Sequence, residues 1–437
     1  MPELRRYWPI AAAAVLFRLA LVLFPGDLNL GSRPEVATPL SSLRRLAEGY
    51  WLKQSSLSPY AGSMYHGSPL LLPILGPLIA NRIEGRPMYF YCSFLFVIVD
   101  FISAILIRAT GQKLFISNQQ NNKSLKLPGK INLVSNLAKE NAGDVASLIY
   151  LWNPLTIVTC LGSCTTPIDN LMVILTIYGA CSGVAPLAAF GYVMATHLSL
   201  YPAILIIPVI LLLGHGPDAP PSKLFKRTIR PFSWKPIIYF VVWALIWTFH
   251  VLLLCSISLK GVGGLHEMFR KTYGFTLKVE DLSPNIGVLW YFFAEVFEFF
   301  RDFFLIVFHV NILFMLLPLA IRLKHRPCFL AFVYVAIVAM LKSYPSVGDS
   351  ALYLGLLGLF ASELADMQFS FFLFFGYIGV TLLSPVMHNL WIWRGTGNSN
   401  FYFATGLAYA CLQTVLVVES VSSMLKHDRM LKRLVSA

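Results

Sequence analysis

Apolar residues fall along this chain in long runs rather than in alternation. Val184–Leu213, Ile237–Leu259, Phe303–Ile321 and Phe329–Leu341 are each nearly uninterrupted. A helix needs roughly 20 apolar residues to cross a bilayer, and fewer where it is short or broken. Counted by that rule, the runs predict roughly 11 to 13 crossings, taken here as roughly 12. The expected fold is all-α and polytopic, one multispanning membrane domain over 1–437 with interfacial amphipathic helices added.

The polar interruptions predict the rest of the organisation. Residues 25–68 form a long connection whose Thr38-Pro39 pair suits a helix start, so an interfacial helix is expected over 39–52. Leu43, Leu46, Ala47 and Tyr50 make its apolar face, opposite Arg44, Arg45 and Glu48. Ser58–Gly62 and Gly67–Pro69 carry turn chemistry leading back into apolar sequence. Residues 111–143 are the most polar stretch and are expected to be a loop. Beyond it, Pro154, Pro167, Pro186, Pro202 and Pro208 interrupt the apolar runs. Broken helices at membrane depth persist where protein or a cavity satisfies the freed backbone groups. The fourth interruption, 281–302, is expected as an aromatic interfacial helix.

Composition and charge narrow the class. The chain is 57% apolar, 14% aromatic and 13% charged, far too apolar for a soluble protein. Its net charge of +13 is concentrated in Lys113–Lys139, Lys223–Lys235, Arg322–Arg326 and Lys426–Arg433. The positive-inside rule places these in the cytosol together with Arg5 and Arg6, and puts 25–68, 260–284 and 343–349 on the luminal side. Both termini are then cytosolic, and the charge has a topological use that leaves no need for a nucleic-acid partner. The sequon Asn122-Lys123-Ser124 falls in a loop placed in the cytosol and is expected to carry no glycan. The run Trp8–Phe24 follows basic residues, but Arg18 interrupts it and no small-residue cleavage pattern follows, so a retained first helix is expected. The seven cysteines lie mostly in apolar runs without a C-x-x-C pair, so no metal, cofactor or disulfide framework is expected.

Three stretches carry candidate chemistry. In 281–304, Glu295, Glu298 and Asp302 share one face if the helix is continuous, and ionisable groups at membrane depth face a bundle interior, a cavity or a headgroup layer. Asp281, Ser283 and Asn285 surround Pro284 ahead of an aromatic belt of Trp290, Tyr291, Phe292 and Phe293, and Glu298 can pair with Arg301. The plainer reading is an amphipathic helix whose acids face water. The second stretch, Lys342–Asp349, offers an ammonium, the hydroxyls of Ser343 and Tyr344, and a carboxylate. These suit an anionic headgroup or a sugar, or equally a Lys–Asp pair closing a tight loop. The third is Gly395–Tyr402, with Asn398, Asn400 and Phe401, preceded by His388 and Trp391–Trp393. Amides beside aromatics suit a sugar, whose hydroxyls need two-way partners; they also serve as helix caps and interface anchors. No H-E-x-x-H, P-loop, G-x-S-x-G or D-x-D motif occurs, so no catalytic residue is expected. Glu35 is the one acid placed where a lipid-phosphate-sugar glycosyltransferase keeps its base, but it lacks an acidic neighbour and is expected to be an interfacial surface charge.

The chain resembles the PIG-U family of GPI transamidase subunits. The resemblance rests on PEVATPLSSLRRLAEG at 34–49, SPYAGSMYHGSPL at 58–70, LWNPLTI at 151–157 and SLYP at 199–202. It is most specific in DLSPNIGVLWYFFAEVFEFF at 281–300, KSYPSVGDSALY at 342–353 and LWIWRGTGNSNFYFA at 390–404. The resemblance implies a glycosyltransferase-C-like membrane fold and an endoplasmic-reticulum complex with PIG-K, PIG-T, PIG-S and the GPI-anchor-attachment (GPAA) subunit. The complex joins GPI to proproteins using cysteine-protease chemistry that belongs to PIG-K. This subunit is then a non-enzyme that recognises or presents the GPI lipid. The residues expected at that lipid are Asp281, Asn285, Trp290, Tyr291, Phe292, Glu295, Lys342, Ser343, Tyr344, Asp349, His388, Asn398, Asn400 and Phe401. The alternatives are a dolichol-phosphate-sugar-dependent glycosyltransferase of GPI biosynthesis and a transporter. The transporter reading is weakened by the lack of an internal repeat.

Overall fold

The computed structural model describes residues 4–23, 29–80, 82–83, 86–87, 90–124, 142–218 and 232–436. The described chain is helical apart from a two-residue hairpin, Arg82–Ile83 with Arg86–Pro87. Among the described residues, five helices are long and apolar enough to cross a membrane: Tyr91–Gln120, Trp234–Ser258, Glu298–Arg322, Ser370–Ile392 and Ser399–Arg433. The pair Ala142–Trp152 and Pro154–Leu161, bent by 49°, makes a sixth if taken as one span. Six further apolar helices have 10–17 residues. The shortness has a local cause. The run Val184–Leu213 is cut at Leu200, whose φ is 59°, into Ala185–Ser199, a 3-10 turn and Ile206–His215. Pro154, Pro167 and Pro186 sit in the first turns of helices, where the missing N–H has no role, so they start helices rather than kink them.

The core is a tight central bundle. Helix Pro327–Leu341 is buried along most of its length. Phe90–Ser124 and Ala142–Trp152 touch backbone to backbone at Gly111 and Gly143, where an added Cβ on Gly111 would meet the Gly143 Cα at 2.3 Å. Small residues of this kind let membrane helices approach closely. Charges inside the bundle are paired. Arg18, which interrupts the first apolar run, is fully buried with its Nε 3.7 Å from Asp100 Oδ2. Near the C-terminal end of the chain, Asp428 holds Arg326 at 2.7 Å and His325 at 2.8 Å.

Around this bundle stand long helices with little protein cover. Only Leu305, Ile312 and Leu316 of Glu298–Arg322 are buried, and only Leu373 and Ser384 of Ser370–Ile392. Their exposed surface carries Phe299, Phe303, Phe314, Phe371, Phe372 and Phe374, a hydrocarbon-compatible wall.

Several local expectations change. The polar stretch 111–143 does not begin as a loop: helix Phe90–Ser124 continues through its first part, and 125–141 lie outside the described residues, as does the Asn122 side chain. Most of the basic run 223–235, the side chains of Arg5 and Arg6, and residues 24–28 also lie outside them. Thr38 does not cap a helix at 39. Its hydroxyl and that of Ser41 bond each other at 2.9 Å, closing a turn that delays the helix to Leu43–Gln54. The 281–302 stretch is not one helix. Leu289–Glu295 stops, Val296 and Phe297 are extended, and Glu298–Arg322 begins anew. The three carboxylates therefore share no continuous face, and Glu295, Glu298 and Asp302 are all exposed. Arg301 donates to the Lys278 and Val279 carbonyls, at 3.2 and 2.9 Å, rather than pairing with Glu298.

Candidate functional site

The three C-terminal motifs meet. Segment 281–288 is the hinge between them. On one side, the Asp281 amide donates to the Tyr344 hydroxyl at 3.0 Å. Gly287 lies so close to Pro345 that an added Cβ would sit 2.6 Å from its Cγ. On the other side, Tyr291 donates its hydroxyl to Asn400 and stacks on Phe403 at 4.4 Å. Trp290 stacks on Trp391 at 6.3 Å and packs on Tyr402 at 6.1 Å. Trp290 and Phe293, expected in an interfacial belt, are buried instead: the 390–404 motif covers Trp290, and Phe293 packs with Val279, Leu289 and Leu305. Phe292 packs on Phe304 and Phe308, each at 5.0 Å.

The first half of this assembly is closed on itself. Lys342 Nζ donates to Asp349 Oδ1 at 2.6 Å, and Asp349 Oδ2 accepts from the Ser346 amide at 2.7 Å in a capping box. Ser343 is fully buried; its hydroxyl donates to the Thr276 carbonyl at 2.7 Å, and its amide donates to the Tyr201 hydroxyl at 3.1 Å. Tyr344 stacks on Phe275, and burial pushes its hydroxyl pKa up. Asn285 folds back on its own loop, its Oδ1 accepting from Gly287 N at 2.8 Å. Asp281 accepts from Arg45 at 2.7 Å and from the Ser283 amide at 2.8 Å. Burial pushes the Asp281 carboxyl up, but the Ser283 hydrogen bonds and the Arg45 guanidinium outweigh it and hold the group below its ordinary value. Asn398 accepts from the Phe401 amide at 3.1 Å, a helix-start contact, while Phe401 is exposed.

The second half is open. Glu35, expected as a surface charge, is 95% buried, at 5% exposure. The turn that carries it is pinned to the second motif, since Val347 N donates to the Glu35 carbonyl at 2.9 Å. Glu35 Oε1 accepts from Ser384 at 3.2 Å. It lies at the wall of an apolar cavity of about 410 Å³, enclosed by Val36, Leu155, Val158, Ile286, Val380 and Tyr409 among others. A polar cavity of about 260 Å³ lies alongside, lined by Asn29, Ser32, Arg33, His388, Asn389 and Trp393. Arg33 lines both. His388 thus lines the polar cavity and packs on Tyr402 at 5.2 Å. The apolar volume is within the roughly 300–1,000 Å³ of ligand pockets. The apolar cavity lies between Pro154–Leu161 and the outlying helices Ser370–Ile392 and Ser399–Ser436, with the polar cavity sharing Arg33 beside it. Arg33 and Ser384 carried no signal in the sequence; Glu35 was weighed as a base and set down as a surface charge, and Tyr402 closed the third candidate stretch.

Among the described residues, no group of three or more His, Cys, Asp or Glu is placed to hold a metal ion. All seven cysteines are free thiols.

The fold defines a helical membrane protein, with two cavities that share Arg33. The chain belongs to the PIG-U family: the family model described as "GPI transamidase subunit PIG-U" matches residues 12–409. The human "GPI-anchor transamidase component PIGU" is 33% identical over 96% of this chain and 92% of its own length. The Saccharomyces cerevisiae "GPI transamidase component GAB1" is 25% identical over 96% of this chain and 94% of its own length.

Proposed function

We propose that this chain is the multispanning, non-catalytic subunit of a GPI transamidase, and that its groove receives the GPI lipid. The observation that carries the lipid-binding part is the junction of an apolar cavity with a polar one at Arg33 and Glu35, where the 281–300 and 390–404 motifs converge. An acyl chain occupies the apolar cavity, and the phosphate-bearing headgroup sits at Arg33, His388 and Asn389. Trp290, Tyr291, His388, Asn400 and Phe401 contribute to the headgroup side. Asp281, Asn285, Lys342, Ser343, Tyr344 and Asp349 hold the scaffold that positions it, and Phe292 and Glu295 flank its outer edge.

The wider setting follows the family. The protein resides in the endoplasmic-reticulum membrane with both termini cytosolic, beside PIG-K, PIG-T, PIG-S and the GPAA subunit, with the peptide chemistry in the PIG-K-like partner. The five long helices, the bent pair and the shorter apolar helices are read as roughly 12 spans in a glycosyltransferase-C-like arrangement.

The test fills the apolar cavity. Val380→Trp, on an outlying helix, should cut glycolipid retained by the purified complex at least tenfold and lower anchor attachment in cells correspondingly. Unchanged retention in a folded variant refutes the reading. A second reading, a glycosyltransferase, draws on the same buried Glu35; transfer from dolichol-phosphate mannose by the purified chain, abolished by Glu35→Gln, would favour it.

A further inference from the structure

Two further cavities, of about 40 and about 20 Å³, adjoin beside the Lys342–Asp349 loop. They share Asp169, Ser199 and Lys342 in their walls, and none of their lining residues lines either cavity described above. Asp169 comes from the first turn of helix Thr166–Cys181, and Ser199 from the last residue of Ala185–Ser199. The turn at Thr38–Ser41 walls the smaller cavity and is tied to the start of the Asp169 helix, since the Thr165 amide donates to the Ser41 carbonyl at 2.8 Å.

The Asp169 carboxylate is the unbalanced group here. Among the described residues, none donates a hydrogen bond to it and no basic side chain pairs with it. It feels the charges of Lys342 and Asp349, but those two are committed to each other at 2.6 Å. That pair is neutral as a unit, so one negative charge is left over in the shared wall. Thr165 points the same way independently. It is only 3% exposed, it lines the smaller cavity, and its hydroxyl makes no hydrogen bond to a described residue. Buried charges and hydroxyls are rarely left without partners, so both groups face something that completes them.

Size, charge and donor type select the occupant. A water molecule needs about 10–15 Å³ of such space, so the two cavities together admit about four bodies of that size. A sugar ring or a phosphate ester does not fit, and the carboxylate repels an anion. Asp169, Thr165 and Ser199 offer only oxygen, the donor set of hard cations. One unbalanced charge matches a single positive charge. Among the described residues no group of three or more His, Cys, Asp or Glu is placed to hold a metal ion, so a divalent ion would lack the carboxylates it needs.

We infer that the adjoining cavities are a site for one small monovalent cation, Na⁺ or K⁺, held by the Asp169 carboxylate with the Thr165 and Ser199 hydroxyls. The ion ties the Asp169 helix to the Lys342–Asp349 loop.

The test reads hydrogen–deuterium exchange in the full chain co-purified with its partner subunits. It is run at one pH and one ionic strength in NaCl, KCl or N-methylglucamine chloride. Peptides covering 165–172 and 342–349 should exchange at least about threefold more slowly, saturably, in NaCl, in KCl or in both. The salt that protects identifies the ion. Asp169→Asn should abolish the protection, and Thr165→Val should raise the half-saturating concentration about fivefold. Equal exchange in all three salts by the unaltered protein overturns the inference, since a proton rather than a metal ion then neutralises Asp169. Protection that persists in Asp169→Asn overturns it as well. Where Asp169→Asn does not assemble, Thr165→Val decides, and an unchanged half-saturating concentration refutes the site.

Discussion

The loop Lys342–Asp349 and the cluster around Glu35 draw on the same kinds of side chain and lie a few residues apart in space, bridged by Val347 N on the Glu35 carbonyl. Their hydrogen-bond accounts are opposite. In the loop, Lys342, Ser343, Tyr344 and Asp349 all find partners within the protein. In the cluster, Glu35, Trp290, His388 and Tyr402 each keep an unpaired atom. A closed network holds a fold together, whereas an open one beside a cavity gains by receiving a ligand. The contrast separates scaffold from seat more sharply than motif strength does, since both regions carry family motifs of similar specificity.

Substitutions can break that contrast. The largest effect is expected at Asp349, whose replacement by Ala strips the partner from the part-buried Lys342 and removes the cap of the following helix. A loss of about 3 kcal/mol follows, read as a fall of several degrees in the thermal unfolding midpoint of the detergent-solubilised complex. Gly287→Ala comes next. Its Cβ would meet Pro345 at 2.6 Å and Asn285 Oδ1 at 2.9 Å, and crowding of this kind costs about 1–3 kcal/mol, measured the same way.

A smaller and more diagnostic effect comes from a matched pair of hydroxyl deletions. Tyr344→Phe removes the acceptor of the Asp281 amide and should lower stability by about 1 kcal/mol. Tyr402→Phe removes a hydroxyl that lies beside Glu35 and Ser384 without a well-aligned hydrogen bond to either, and should cost well under about 1 kcal/mol. Equal losses at both would erase the distinction between the two regions.

The smallest effect is one of pH. The folded Asp281 carboxyl titrates below its unfolded value of about 3.9. Its stabilisation is therefore complete above about 3.9 and is lost as pH falls through the folded value. Asp281→Asn should flatten the acid limb of an unfolding-midpoint profile by under about 1 kcal/mol, since the Arg45 pair is only part-buried.

Much of the architecture was legible in the sequence because apolar runs of spanning length have few other uses. The break between Glu295 and Glu298 was not, because a two-residue extended kink leaves no mark in a continuous aromatic run. The site was legible only in part. Trp290 and His388 could be picked out as polar-tipped groups in specific motifs. Asn285 and Asn398 looked the same on paper, but turned out to hold a turn and a helix start. Glu35 was misread because it has no acidic neighbour and stands in a polar connection. Its burial depends on Val347 and Ser384, more than 300 residues away in the chain, and such long-range enclosure has no local signature.

The most direct measurement is photocrosslinking of a diazirine-bearing GPI analogue to the purified complex, with adducts mapped by peptide sequencing. The account predicts headgroup adducts within 29–36 and 388–402, acyl-chain adducts within 154–158 and 380–409, and competition by unlabelled GPI. Adducts confined to 342–349 or to the outer face of Trp234–Ser258, with none in the groove, would contradict it.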